Sequence, residues 1–191
     1  MSINEYIIEF NHINSILNIS QTPVEIAQFM SAAELHVPNI NIILEIGCWT
    51  GGNLCLLSNI INPPGLIIGI NPITNHPVDR INVPLVSRLV EPNQFVYIDG
   101  YSEDNNTYDR LLTLLDGRLI DALFMDRTDK YDEAMSDYNM YSKLMNSPSV
   151  IGFHDIVAYP DGPGRVFNEV RDDNYIRIDA NDNRGIGVIL I

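Results

Sequence analysis

Basic residues are scarce in this chain. Its 191 residues include 11 Lys and Arg against 25 Asp and Glu, which gives a formal net charge of −14 at pH 7. Lys130 and Lys143 are the only lysines in the sequence. Proteins that bind nucleic acids or anionic membranes use clustered Lys and Arg to neutralise phosphate groups. The composition therefore predicts that neither nucleic acid nor a membrane surface is a partner.

Long apolar runs and cysteines are also few. No run approaches the roughly 20 apolar residues of a transmembrane helix. Residues 1–5 have neither the basic residues nor the apolar stretch of a signal peptide. Cys48 and Cys55 are too few for a disulfide framework or a four-ligand zinc site, and we expect reduced thiols in the core. These absences predict a cytoplasmic protein.

What remains is the composition of a globular protein. Hydrophobic residues make up 46% of the chain and charged residues 19%. The length fits a single domain, in which we expect N-terminal helices in residues 1–38 and the core in residues 39–191. The second of these helices has a clear start signal, since Thr22 suits the N-cap, Pro23 the first helical position and Glu25 the third.

Strand-like and helical patterns alternate along the chain. Short runs rich in branched apolar residues predict buried strands at 40–46, 66–70, 95–98, 120–125 and 149–153. The other periodic segments predict helices at 3–18, 23–35, 51–61, 80–89, 104–117, 130–146 and 164–172. The segments 175–179 and 185–191 predict an antiparallel hairpin. Such alternation predicts a mostly parallel sheet with helices on both faces, whose ligands bind beyond the carboxyl ends of the strands.

A glycine-rich turn follows the first predicted strand. Gly47, Gly51 and Gly52 permit tight turns and the close approach of a ligand to backbone N–H groups. The spacing differs from the G-x-G-x-x-G of dinucleotide folds, which disfavours a nicotinamide-dependent enzyme. Glu45 precedes this turn, and its carboxylate suits an ammonium group better than a pyrophosphate. A turn required only for packing is the alternative.

The next two strands end in polar turns. Asn71 can accept one hydrogen bond and donate another, but it lacks the charge that strengthens contacts with ribose hydroxyls; an Asn-Pro turn explains it equally well. After the third strand, Gly100 permits close approach and Tyr101 offers a flat face for a base. Ser102 fits either a ligand contact or the cap of the following helix.

Carboxylates follow the fourth and fifth strands. Asp126 comes directly after one strand, and His154 and Asp155 end the next. Neighbouring carboxylates are costly unless a cation or a proton lies between them. Oxygen ligands of this kind suit Mg²⁺ or a similar divalent ion, and His154 suits a ligand or a base. A histidine hydrogen-bonded within a loop is the alternative.

These motifs together resemble class I S-adenosylmethionine-dependent methyltransferases, and more narrowly the group of macrocin-type O-methyltransferases and cephalosporin hydroxylases. The resemblance runs from about Gln21 to the C-terminus. It rests on the sequence blocks Leu44-Glu45-Ile46-Gly47, Asp99-Gly100-Tyr101-Ser102, Leu123-Phe124-Met125-Asp126 and Phe153-His154-Asp155-Ile156, with Tyr131, Asp137 and the closing Gly185-Ile186-Gly187-Val188. It implies a Rossmann-like α/β fold with a mostly parallel seven-stranded sheet and a C-terminal antiparallel hairpin.

The resemblance also implies the reaction and the residues that perform it. The expected activity is methyl transfer from S-adenosylmethionine to a hydroxyl of a small molecule or sugar, assisted by Mg²⁺ or a similar divalent cation. The implied cofactor-binding residues are Glu45, Gly47, Cys48, Gly51, Asn71, Gly100, Tyr101, Ser102 and Asp126. The implied metal ligands are Asp126, His154 and Asp155, and the catalytic residues are Asp126, Asp129 and His154.

Two departures from that pattern keep an alternative open. Asn71 stands where the family commonly has an acidic ribose ligand. The segment 126–131 reads Asp-Arg-Thr-Asp-Lys-Tyr where the family often has Asp-Gly-Asp-His-x-Tyr, which leaves Asp129 as a candidate base or third metal ligand. The alternative is a catalytically inactive relative with a binding or assembly role. The amphipathic N-terminal helix is compatible with cover over the active site or with the contacts of a homo-oligomer.

Overall fold

Two helices precede the sheet. The computed structural model describes residues 1–73, 81–179 and 183–191. Helices α1 (Ile3–Asn14) and α2 (Pro23–His36) pack against each other. Helix α1 ends at Asn14 rather than at the predicted residue 18, so residues 15–22 form a linker between the two helices. None of the helices in the described ranges is long and apolar enough to cross a membrane.

The sheet has seven strands in the order β3-β2-β1-β4-β5-β7-β6. Their bounds are β1 Ile42–Ile46, β2 Leu66–Asn71, β3 Gln94–Asp99, β4 Ile120–Met125, β5 Met145–His154, β6 Tyr175–Ile178 and β7 Ile186–Leu190. Strand β7 runs antiparallel to both of its neighbours, and every other neighbouring pair is parallel. The predicted mostly parallel sheet and C-terminal hairpin are confirmed.

Helices cover both faces of this sheet. The remaining helices are α3 Gly52–Leu57, α4 Val83–Leu89, α5 Asn105–Leu115, α6 Tyr131–Tyr141 and α7 Pro163–Val170, and short 3₁₀ turns extend α3 and α6. The first residue of the predicted helix 80–89 lies outside the described residues. Apolar side chains of α1 to α4 form one core layer, and those of α5 to α7 form the other. The division into N-terminal helices and core at residues 38 and 39 stays a prediction.

A buried carboxylate fixes the amino-terminal edge of the sheet. Asp121 on β4 is 3% exposed. Its Oδ2 accepts hydrogen bonds from the backbone N–H groups of Asn41 (2.7 Å) and Ile42 (3.0 Å), and its Oδ1 accepts one from Asn146 Nδ2 at 2.9 Å. The side chain therefore ties β4 to the start of β1 and to β5. Its position explains an acidic residue inside an otherwise apolar strand.

The start of α2 differs in mechanism from the prediction. Thr22 is the N-cap and Pro23 lies in the first turn, but the Thr22 side chain makes no capping hydrogen bond. Glu25 is fully buried, and its Oε1 accepts a hydrogen bond from Gly185 N at 3.0 Å. The predicted start of the helix is confirmed, and Glu25 also ties α2 to the segment that precedes β7.

Candidate active site

The turn between β1 and α3 has a structural need for glycine. Gly47 and Gly51 have φ values of 90° and 86°, a region that residues with a Cβ rarely adopt. A Cβ on Gly47 would meet the backbone of Asp126 and lie 2.6 Å from Arg127 Cα. A Cβ on Gly51 would lie 2.6 Å from Val86 Cγ2. The two glycines thus let this turn pack against the segment after β4 and against α4, whatever ligand it binds.

Glu45 is a buried carboxyl group directly behind this turn. It lies on β1 with 1% of its surface exposed, and its Oε1 accepts a hydrogen bond from Asn53 Nδ2 at 2.6 Å. Its Oε2 has no hydrogen-bond partner among the residues that the structure describes. Burial, together with the nearby charge of Asp126, raises the pKa of Glu45 from 4.5 to about 8. A positive charge placed here would therefore be stabilised strongly.

A small cavity lies in front of Glu45. We call it the turn cavity, and define it by Gln21, Glu45, Gly47, Cys48 and Asn53 in its wall. Its volume is about 10 Å³, which is room for a single water-sized group. Besides Glu45 Oε2, two further buried acceptors in this wall, Gln21 Oε1 and Asn53 Oδ1, lack a hydrogen-bond donor within the described ranges. Once Glu45 is ionised, these three acceptors favour a ligand group that supplies N–H bonds and a positive charge.

The linker between α1 and α2 forms one side of the turn cavity. The Thr50 hydroxyl donates a hydrogen bond to the carbonyl of Asn18 at 2.5 Å. Gln21 is 5% exposed, and its Nε2 donates a short hydrogen bond to Asp126 Oδ2. The linker therefore covers this site, and the two roles left open for the N-terminal helix itself stay predictions.

Asp126, His154 and Asp155 come together at the ends of β4 and β5. His154 Nδ1 lies 2.7 Å from Asp126 Oδ1 and 3.6 Å from Asp155 Oδ2, and the potential ligand atoms of all three lie within 4.8 Å of one another. Burial lowers the pKa of His154, but the two carboxylates outweigh it and raise this pKa above its ordinary value. Asp155 has a φ of 59°, in the left-handed region that Asp and Asn tolerate best. The predicted convergence of these three residues is confirmed.

A larger cavity opens beside the cluster. We call it the rim cavity; its volume is about 390 Å³, and its wall includes Asp126, Asp129, His154, Asp155 and Tyr159. Asp129 is exposed there and does not belong to the group of three potential metal ligands. An exposed carboxylate near the cluster suits a proton acceptor better than a further ligand.

Arg127 fills the position after Asp126. Its side chain is 12% exposed, its Nε donates to Asp137 Oδ2 at 2.9 Å, and its Nη1 lies 3.0 Å from Glu103 Oε2 and 3.4 Å from Glu133 Oε2. Burial raises the pKa of Asp137, although Arg127 acts in the opposite direction. The guanidinium group therefore ties the turn after β3 to α6, a role that the sequence analysis did not predict.

The turns after β2 and β3 contain the remaining predicted residues. The Asn71 side chain donates a hydrogen bond to the Pro72 carbonyl at 3.0 Å, which agrees with the Asn-Pro turn that the sequence left open. Gly100 lies against Thr107, and Tyr101 is 55% exposed. Ser102 is fully buried, and its predicted capping role is wrong because Asp104 is the N-cap residue of α5. These residues follow neighbouring strands, but they do not line the two cavities described above.

Two residues of the turn cavity were missed from sequence. Asn53 lies in α3, and every residue of that helix is buried. A polar amide within the apolar run Gly-Asn-Leu-Cys-Leu-Leu is the sequence feature that indicates a buried functional side chain there. Gln21 lies in the linker, and a predicted helix over 3–18 gave no reason to bring it near β4. Cys48 lies in the wall of the turn cavity as expected, and both cysteines are buried free thiols.

Comparison with other sequences gives one similar protein. No family model matches this chain. An uncharacterized protein of Acanthamoeba polyphaga mimivirus is 31% identical over 121 residues, which are 63% of this chain and 53% of that protein. The chain thus spans about half the length of the curated relative that it matches.

Comparison with solved structures establishes the fold. TomG, an O-methyltransferase of Streptomyces achromogenes involved in tomaymycin synthesis and solved with S-adenosylmethionine, matches 98% of this chain and 89% of its own, with a TM-score of 0.64 and 15% identity. An O-methyltransferase of Bacillus cereus solved with S-adenosylhomocysteine matches 98% of this chain and 91% of its own, with a TM-score of 0.64 and 16% identity. The predicted class I methyltransferase fold is confirmed. The narrower likeness to the macrocin group stays a prediction.

Proposed function

We propose that this chain is an S-adenosylmethionine-dependent O-methyltransferase that acts on a hydroxyl of a small molecule or sugar with the help of a divalent cation. The observation that carries the proposal is the environment of Glu45. This carboxyl group is buried behind the glycine turn at the carboxyl end of β1, and its Oε2 has no hydrogen-bond partner among the described residues. Ligands of open α/β sheets generally bind beyond the carboxyl ends of the strands, which supports this location. The methyltransferase fold shared with TomG and the Bacillus cereus enzyme supports the same conclusion.

The residues around the turn cavity fit the methionine part of the cofactor. Its ammonium group offers three N–H donors and one positive charge. Glu45 Oε2 and Asn53 Oδ1 are buried acceptors that lack donors within the described ranges. An ammonium group is about the size of a water molecule, so it matches the volume of the cavity. The adenosine part would then extend toward the turns that end β2 and β3, where Asn71 and residues 100–102 lie.

Asp126, His154 and Asp155 fit a divalent cation. Two carboxylates and an imidazole offer oxygen and nitrogen atoms of the kinds that Mg²⁺ or Mn²⁺ accept. Gln21 and His154 hydrogen-bond to Asp126. A cation at the cluster would compete with these hydrogen bonds. Metal binding would therefore be weaker when His154 is protonated.

The chain's own residues then have separate roles in the reaction. Bound S-adenosylmethionine supplies an electrophilic methyl group, and a bound cation would lower the pKa of an acceptor hydroxyl. The rim cavity would orient that hydroxyl next to the cluster. Asp129 would take the hydroxyl proton as the oxygen–carbon bond forms and the carbon–sulfur bond breaks. Asp126 lies in the wall of both cavities, so it would align acceptor and cofactor.

Calorimetric titration tests the cofactor part of this proposal. We expect S-adenosylhomocysteine to bind with a micromolar Kd, about −8 kcal/mol. Glu45→Gln removes the negative charge but keeps an oxygen for Asn53, so it should weaken binding by tenfold or more. Glu91→Gln, on an exposed residue far along the chain from the turn, is the matched control and should leave binding unchanged. Absence of binding to the wild-type protein would favour the catalytically inactive alternative.

The metal part has its own test. Mn²⁺ binding is measured by the loss of the free-ion signal in electron paramagnetic resonance. Asp155→Asn tolerates the positive φ of this position yet removes a charged ligand, so we expect a tenfold or larger loss of affinity. Asp161→Asn, an exposed residue outside the cluster, serves as control. Equal affinity of the wild-type protein and Asp155→Asn would contradict metal binding at this cluster.

A further inference from the structure

We propose that Gln21 is a cofactor-binding residue, and that its side-chain amide joins the ammonium group of the cofactor to the catalytic carboxylate Asp126. This inference rests on the proposed function, because it concerns the same cofactor. It adds a residue from the N-terminal linker to a site otherwise built from the carboxyl edge of the sheet. It also gives the linker a specific role in selecting the amino-acid end of the ligand.

The two ends of the Gln21 amide face different surroundings. Nε2 donates its hydrogen bond to Asp126 Oδ2, which fixes the orientation of the amide. Oε1 is then left as an acceptor that is buried and has no donor anywhere in the described part of the chain. With 5% of Gln21 exposed, bulk water does not readily satisfy this atom. A buried acceptor left without a donor is destabilising, so a ligand that supplies the donor gains affinity from this contact.

The chemistry of the turn cavity selects a primary ammonium group. Gln21, Glu45 and Asn53 each contribute one buried acceptor without a described donor, and each lies in the cavity wall. An ammonium group has three N–H donors, one for each acceptor. A metal ion fits less well, because two of these three acceptors are neutral amide oxygens, although Asp126 also lies in the wall. A carboxylate or phosphate would add acceptors to a wall that already lacks donors.

The linker contacts make Gln21 part of a built site rather than a mobile surface residue. The carbonyls of Leu17 and Asn18 lie against Gly52, where an added Cβ would be 3.1 Å and 2.6 Å from them. The backbone N–H of Ile19 donates to Asn14 Oδ1 at 2.9 Å, which ties the linker to the end of α1. Ser20 Oγ lies 3.5 Å from the same Asp126 oxygen. Several contacts therefore hold the Gln21 amide against Asp126.

Two ligands that differ in the amino-acid end isolate this contact. S-Adenosylhomocysteine carries the ammonium group, whereas 5′-methylthioadenosine has the same nucleoside and sulfur but lacks it. Gln21→Met keeps the length of the side chain and removes both polar ends. We expect this variant to bind S-adenosylhomocysteine about tenfold to hundredfold more weakly than the wild-type protein, as for a lost hydrogen bond to a charged group. Its affinity for 5′-methylthioadenosine should change less than about twofold, because that ligand brings no ammonium group to the lost acceptor.

A second substitution separates the two ends of the amide. Gln21→Glu keeps an acceptor for the ammonium group and replaces the amide donor to Asp126 by a carboxyl group, which needs a proton to lie against that carboxylate. We expect it to bind S-adenosylhomocysteine within about threefold of the wild-type protein, since the hydrogen bond to the charged group is kept. A loss as large as that of Gln21→Met would mean that the contact with Asp126, and not acceptance from the ammonium group, controls affinity, and would overturn the proposal.

The controls distinguish this inference from the proposed function. Ser15→Ala changes an exposed linker side chain outside the wall of the turn cavity, so binding of both ligands should persist; an equal loss there would overturn the inference. Thermal melting checks that every variant is folded. If the wild-type protein binds both ligands and Gln21→Met loses neither, only the inference fails. If the wild-type protein binds neither ligand, the proposed function fails with it.

Discussion

Replacement of Glu45 by Gln should change how the stability of the ligand-free protein depends on pH. Burial raises the pKa of Glu45 to about 8 in the folded state, whereas the unfolded chain has the ordinary value of 4.5. An acid whose pKa is raised by folding stabilises the protein below the unfolded pKa. That contribution is lost as the pH rises from 4.5 toward 8, because only the unfolded carboxyl ionises freely.

The magnitude follows from the two pKa values. Each pH unit between them removes about 1.4 kcal/mol from the free energy of unfolding. Between about pH 5 and pH 7.5 the wild-type protein should therefore lose about 3 kcal/mol that Glu45→Gln does not lose. The nearby thiol of Cys48 does not interfere, because burial raises its pKa well above this range. The other titratable groups are the same in both proteins, so the difference between the two curves isolates Glu45.

Urea denaturation followed by circular dichroism measures this difference at several pH values without ligand. The glutamine side chain in Glu45→Gln would keep an oxygen for the Asn53 amide, so both proteins should share the same fold. The difference in the free energy of unfolding should grow steadily with pH in favour of the variant. If the free energies of unfolding of the two proteins changed with pH in parallel over the whole range, the raised pKa of Glu45 would be contradicted. That result would mean that Glu45 ionises in the folded protein as it does in water.

Three further substitutions test the packing around the site, each by chemical denaturation. Asp121→Ala leaves the backbone N–H groups of Asn41 and Ile42 without their acceptor and should lower the free energy of unfolding by about 3 kcal/mol; a loss below about 1 kcal/mol would contradict that role. Arg127→Met leaves Asp137, whose side chain is 2% exposed, without the guanidinium group and should lower the free energy of unfolding by about 3 kcal/mol. Adding Asp137→Leu should recover part of that free energy, and no recovery would argue against a buried ion pair. Gly47→Ala should lower the free energy of unfolding by about 3 kcal/mol, and Gly117→Ala by about 1 kcal/mol. Gly117 also has a positive φ, 78°, but a Cβ added there meets nothing within 4 Å. Equal losses would contradict the close approach of Gly47 to the chain after β4.

The sheet and its edge could be predicted from sequence because both depend on local patterns. Branched apolar runs marked β1, β2, β4 and the buried end of β5, and the residue after each run falls at the same edge of a parallel sheet. The cluster of Asp126, His154 and Asp155 followed from that rule alone. The start of β5 at Met145 was missed, since its first residues are partly exposed and include Pro148.

The contacts that complete the site could not be predicted in the same way, because they join segments far apart in the chain. Gln21 reaches Asp126 across 105 residues, and Glu25 reaches Gly185 across 160. Both contacts depend on where α1 ends and how the linker turns, and an amphipathic pattern determines neither. Arg127 is similar, since its role depends on Asp137 being buried. In sequence, each of these residues is compatible with an exposed polar surface.

The central claim is that the turn after β1 binds the amino-acid end of S-adenosylmethionine. The most direct measurement is a crystal structure of the protein with S-adenosylhomocysteine. We expect electron density for the ligand with its ammonium group within hydrogen-bond distance of Glu45. A ligand bound at another place on the protein, or bound at this edge with its ammonium group away from Glu45, would contradict the account.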